Sequence, residues 1–166
     1  MKVRYLLLFF LCNSTLFFAQ ESFVLKTPNA KKLKQKFEKS NYQMNIIVSY
    51  LQANYKAVSG KVDVKNDEEM GGVECGYTMK FEFGITYTYH NCGEAAPMKE
   101  KIVFPKTELA KLKKWIEQID KANPSNEESV WYKGKNEYGP KNEEAGCYYK
   151  IKQSKSESVV DIFCGC

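Results

Sequence analysis

The sequence predicts an α+β fold: a mainly antiparallel sheet of about five to six strands with two or three helices packed on one face, stabilised by disulfides. Three observations carry that expectation. Between Val73 and Tyr89 the apolar residues Cys75, Tyr77, Met79, Phe81, Phe83, Ile85 and Tyr87 recur at every second position, the period of a half-buried strand. Between Glu108 and Ala122 the stripe Leu109, Leu112, Trp115, Ile116 and Ile119 has helical spacing. At the C-terminus, Cys147, Tyr149 and Ile151 alternate on one run, and Val160, Ile162 and Cys164 on the next, so a hairpin folds them face to face.

The chain opens with a leader. Lys2 and Arg4 precede the apolar run Tyr5 to Cys12, interrupted by Asn13-Ser14-Thr15, and Ala19 offers a small residue for cleavage. This is the pattern of a secretory signal peptide over residues 1–19, leaving one exported α+β domain over 20–166. No later apolar run reaches the roughly 20 residues that span a bilayer. The formal net charge is +5, and the leader holds part of it. That mild balance does not describe a nucleic-acid binder, which needs a clustered basic face.

Along the domain, Ser22 to Lys26 reads as a short edge strand stopped by Pro28. Ala30 to Lys39 reads as a lysine-rich helix resting on Leu33 and Phe37, too few anchors for a membrane surface. Asn41 to Val58 reads as a second helix, with Ser40 and Gln43 as a capping box and Gly60 beyond its end. Lys61 to Lys65 is a strand, and Asn66 to Gly72 a loop. In the central stretch, a three-residue turn at Phe83 would set Phe81 opposite Ile85 and Cys75 opposite Asn91. Alternation running unbroken through Gly84 favours one long strand with a bend there. Lys99 to Phe104 is a strand, and Thr107 caps the helix from Glu108. Ser129 to Lys133 is a short strand. Gly134 to Ala145 reads as a surface loop presenting Tyr138. A loop over Ser154 to Glu157 sets Ile151 opposite Val160, Tyr149 opposite Ile162 and Cys147 opposite Cys164.

Of the six cysteines, Cys12 lies in the leader. Cys75, Cys92, Cys147, Cys164 and Cys166 remain, an odd set that an oxidising compartment turns into disulfides first. The simplest scheme joins Cys147 to Cys164 and ties Cys75 or Cys92 to Cys166; the alternative joins Cys75 to Cys92 with one C-terminal bridge. Spacing does not choose between them. Each bridge adds about 2–4 kcal/mol by restricting the unfolded chain. His90, Cys92, Cys164 and Cys166 would make a zinc set only at gaps unlike those of structural zinc sites, so no metal or other cofactor is assigned.

Signatures of catalysis are missing from the sequence. There is one histidine, His90, and neither Gly-x-Ser-x-Gly nor His-Glu-x-x-His. Carboxylates cluster in polar loops, at Asp67-Glu68-Glu69, Glu127-Glu128 and Glu143-Glu144. The expectation is a non-catalytic secreted or periplasmic binding module, an inhibitor or immunity-type partner of another exported protein. Tyr132, Tyr138 and Tyr148 are its candidate recognition aromatics. The competing expectation is a small exported hydrolase built from His90 and loop carboxylates.

Overall fold

The computed structural model describes residues 22–93, 97–123, 128–142 and 145–165. The leader, Cys166, Glu127 and the Glu143-Glu144 pair lie outside the described residues. Helices α1 (Ala30–Lys39), α2 (Ile46–Asn54) and α3 (Leu109–Ala122) accompany one antiparallel sheet. Its strands are β1 (Val62–Asp67), β2 (Val73–Lys80), β3 (Thr86–His90), β4 (Met98–Pro105), β5 (Ser129–Trp131), β6 (Glu137–Pro140), β7 (Gly146–Gln153) and β8 (Glu157–Gly165). Their spatial order is β1-β2-β3-β4-β8-β7-β6-β5. Two four-stranded meanders therefore meet at a β4–β8 seam, and α3 carries the chain from the centre to the far edge. The α+β class and the antiparallel sheet stand as read. The strand number rises to eight, because the central stretch holds two strands and the expected loop after Gly134 holds β6.

The central stretch is a hairpin and not one bent strand. Glu82–Gly84 form a turn with Phe83 at φ 61° and Gly84 at φ 76°, and Phe81 N–H donates to Ile85 O at 2.9 Å. A three-residue loop keeps odd positions opposite odd positions, so the alternation continues through a full reversal. That is why the pattern concealed the turn. Phe83 accepts a conformation costing roughly 1–2 kcal/mol, and its ring meets Phe23 at 6.0 Å.

The helices end where local hydrogen bonds dictate. Asn29 Oδ1 accepts Lys32 N–H to start α1. Ser40 does not open the second helix; its hydroxyl donates to Phe37 O at 2.7 Å and closes the first. Asn41 and Tyr42 then take left-handed conformations, at φ 53° and 63°. Asn45 Oδ1 accepts Val48 N–H at 2.8 Å, so α2 begins later and ends earlier than its apolar stripe suggests. Thr107 does not cap α3 with its side chain; it donates to Pro105 O, and Ser158 Oγ accepts its amide. Ser22 to Lys26 is not a strand. Its carbonyls at Val24 and Lys26 accept from the hydroxyls of Tyr55 and Tyr50, so side chains satisfy the backbone there.

All three helices contribute to one core on one face of the sheet. Trp115 is fully buried at its centre, edge-on to Phe104 and Tyr50 at 5.5 and 5.6 Å. The outer edges are blunted: β1 is exposed and carries Asp63, Lys65 and Asp67, and β5 has only three residues.

Candidate functional site

Strand registers place two rows of side chains back to back across the sheet. On the helix-covered face, one row runs Tyr77, Tyr89, Glu100, Ile162, Tyr149, Tyr138, Trp131. Glu100 is the carboxylate in a row otherwise made of aromatics and one isoleucine. It is 6% exposed. Asn45, the residue that caps α2, donates its amide to both Glu100 Oε1 (2.9 Å) and Tyr87 Oη (2.8 Å). Glu100 Oε2 has no hydrogen-bond partner among the described residues. Burial pushes the carboxyl up to about 7, against the Asn45 and Tyr87 hydrogen bonds that favour its ionised form. Asp120 on α3 is also buried, and lies against the hydroxyls of Tyr138 and Tyr149. Burial first, and Asp120 next, hold both of those phenols above their ordinary range.

The part of this row from Tyr77 to Tyr149 floors a cavity of about 470 Å³. Residues Tyr42 to Ile47 form its roof. Ile119 of α3, Asn123 just past its end, Met98 and the Cys147–Cys164 pair complete the walls. The size and the mix of aromatic walls with few polar groups suit a small ligand.

The opposite face carries no helix. Its corresponding row runs His90, Lys99, Phe163, Tyr148. Beside it runs Thr88, Lys101, Asp161, Lys150, Glu137. A depression of about 510 Å³ lies over these residues and Tyr132. Tyr148 lies across Gly139, where an added Cβ would sit 2.8 Å from its ring, so a side chain at that position would displace it. Lys150 pairs with Glu137 at 2.6 Å, and Lys152 with Asp161 at 2.7 Å. The Lys150 ammonium holds the Glu137 carboxyl below its usual range. Lys99 and Lys101 are exposed and have no ion-pair partner among the described residues.

The sequence-predicted residues fall as follows. Cys75 is bonded to Cys92, and Cys147 to Cys164. The bridge from Cys75 or Cys92 to Cys166 is thereby overturned, and so is the zinc set, since Cys92 and Cys164 are not thiolates. No group of three or more metal-ligating side chains gathers among the described residues. Tyr132 and Tyr148 are half-buried at the open-face depression, and the Tyr132 hydroxyl donates to Pro140 O at 2.7 Å. Tyr138 is not presented by a loop. It is 5% exposed and packs between Trp131 and Tyr149, because β6 turns it onto the core face. His90 sits on the open face beside Lys99. Asp67 is committed to local structure: Oδ1 accepts the amides of Glu69 and Met70, and Oδ2 that of Gly93. Glu128 pairs with Lys141.

Glu100, Asn45 and Asp120 were missed by sequence reasoning. The signal for Glu100 was present: in Met98-x-Glu100-x-Ile102-x-Phe104 it holds an apolar-face position of a strand. No protein-family model, curated protein or solved structure matches this chain.

Proposed function

We propose that this chain is a non-catalytic exported binding module that docks the open face of its sheet on an acidic surface of another exported protein, as an inhibitor or immunity-type partner does. One observation carries the reading: aromatic side chains (Tyr148, Phe163, Tyr132) share an uncovered sheet face with two lysines, Lys99 and Lys101, that have no ion-pair partner among the described residues. Rigid aromatics supply contact area at little entropic cost, and unpaired charge selects a complementary partner. Four lysines against three carboxylates around the depression, two of which (Glu137 and Asp161) are paired to lysines and one of which (Glu100) is buried, make that partner acidic. Two disulfides suit an oxidising compartment, and the leader over residues 1–19 would deliver the chain there.

The test is a non-reducing pull-down from the native culture medium with the processed protein, comparing wild type with Lys99→Glu/Lys101→Glu and with Lys36→Glu on α1. A single exported protein retained by wild type and Lys36→Glu, and lost with the double variant, is the expected result. Identical capture by all three proteins overturns the open-face reading. Intact mass of the secreted chain, starting at Gln20, checks the leader.

A further inference from the structure

We propose that the cavity beneath the α1–α2 connection binds a small organic ammonium ion, with Glu100 as its counter-ion and the rings of Tyr42, Tyr77 and Tyr89 around it. The site lies on the face of the sheet opposite the proposed docking surface and does not rest on that reading.

Charge comes first. Glu100 is 94% buried by its 6% exposure, and no Lys, Arg or His lines the cavity among the described residues. A buried carboxylate without a cation is costly, and proteins ordinarily pair such groups. Here one oxygen, Oε1, is held by Asn45, and the Tyr87 hydroxyl also favours the ionised carboxyl. The other, Oε2, is left without a partner in a residue that lines the cavity. Asn45 has no donor to spare for it: its two amide bonds go to Glu100 and Tyr87, while its oxygen caps α2. The vacant valence therefore suits a donor brought from outside.

The walls agree with the floor. Tyr77 and Tyr89 pack at 5.4 Å between centroids, and both are half-buried at the cavity. Ring faces attract cations, most strongly where water is excluded. Tyr77 already holds one: Lys61 Nζ lies 4.3 Å from its centroid. Met44, Ile46, Ile119, Ile162 and Met98 supply an apolar remainder, so the ligand is an ammonium on an apolar body and not a free metal ion or an anion. The roof begins at Tyr42, which like Asn41 before it takes a left-handed conformation; exposed Tyr42 stands edge-on to Phe37 at 5.3 Å. Consecutive non-glycine residues in that region carry strain of the kind found at ligand clamps.

Calorimetric titration of the disulfide-intact processed protein at about pH 8, where Glu100 is ionised and alkylamines remain cationic, tests the proposal. The probes are 2-phenylethylammonium and n-hexylammonium, with 2-phenylethanol and 3-phenylpropanoate as neutral and anionic counterparts. The expected result is binding of an ammonium at least about tenfold tighter than the alcohol, with no binding of the carboxylate. Glu100→Gln should remove that preference, weakening the ammonium alone. Should this variant not fold, Met98→Trp fills the cavity while keeping the Glu100 carboxyl, and should abolish binding. Equal affinity for ammonium and alcohol overturns the proposal, as does ammonium affinity unchanged in either folded variant. Failure of both ammonium probes to bind the wild type up to about 10 mM, a free energy weaker than about 3 kcal/mol, overturns it too.

Discussion

The β2–β3 and β7–β8 hairpins carry cysteines at the same sequence separation, 17, and cross-link them differently. In β7–β8 the loop runs Ser154 to Glu157, and Cys147 stands directly opposite Cys164 within the ladder. In β2–β3 the loop has three residues, which sets Cys75 opposite Asn91; Asn91 N–H donates to Cys75 O at 2.7 Å. Cys92 lies one residue further, beyond the end of β3, where the backbone is no longer bound to a register and can bring its sulfur back to Cys75. The contrast shows that loop parity decides whether a cross-strand disulfide sits inside a ladder or just past it. Face alternation alone argues against a one-residue offset that the strand end readily absorbs.

Equal separations make the two bridges a controlled pair. Loop closure contributes about 3 kcal/mol to each, since that term depends on loop length alone. Replacing Cys75 and Cys92 together by Ala should cost about that much in denaturant unfolding. Replacing Cys147 and Cys164 should cost more, because that bridge lies within paired strands, lines the cavity and accepts from Asn123 Nδ2 at 3.8 Å. An equal loss for the two double variants would show that ladder position adds nothing.

The same pair explains what could be read in advance. The β7–β8 hairpin was legible because the apolar set switches from odd positions (Cys147, Tyr149, Ile151) to even ones (Val160, Ile162, Cys164), which marks an even-numbered loop between two strands. The β2–β3 turn was not, since an odd loop leaves no mark in a period-two pattern and Phe83 gives no hint that it will adopt φ 61°. Tyr138 was misplaced for a related reason. Gly139-Pro140 reads as a turn, yet Pro140 closes a four-residue strand whose neighbour Gly139 makes room for Tyr148. The cavity was illegible because its parts, Asn45, Glu100 and Tyr149, come together only through strand order and the late start of α2.

Glu100 sits on β4, opposite Ile162 across the seam that joins the two meanders, so its ionisation probes that junction. Burial raises its folded-state value to about 7 from 4.5. The folded chain thus holds this proton more tightly than the unfolded chain. Its contribution is complete below about pH 4.5 and is lost as pH rises through about 7, a change on the order of 3 kcal/mol. Unfolding midpoints should therefore fall across that window in wild type and stay flatter in Glu100→Gln. Parallel profiles would place the loss in other groups. An ammonium in the cavity would oppose the loss above pH 7 by stabilising the ionised form.

The smallest effect separates the two turns. Gly84 has φ 76°, which costs an L-residue roughly 1 kcal/mol, and nothing lies within 4 Å of where its Cβ would point. Gly84→Ala is then a purely conformational change. It should lower stability by about 1 kcal/mol with no packing defect to confuse the reading. The Ser154–Glu157 turn contains no left-handed residue. It is held instead by Ser154, whose hydroxyl accepts the amides of Ser156 and Glu157. Lys155→Ala there should stay within about 0.5 kcal/mol of wild type, as surface changes away from special backbone do. If the two substitutions prove equal, left-handed geometry at the β2–β3 turn is not what sets its odd loop. The parity argument for the displaced Cys92 would then need a different cause.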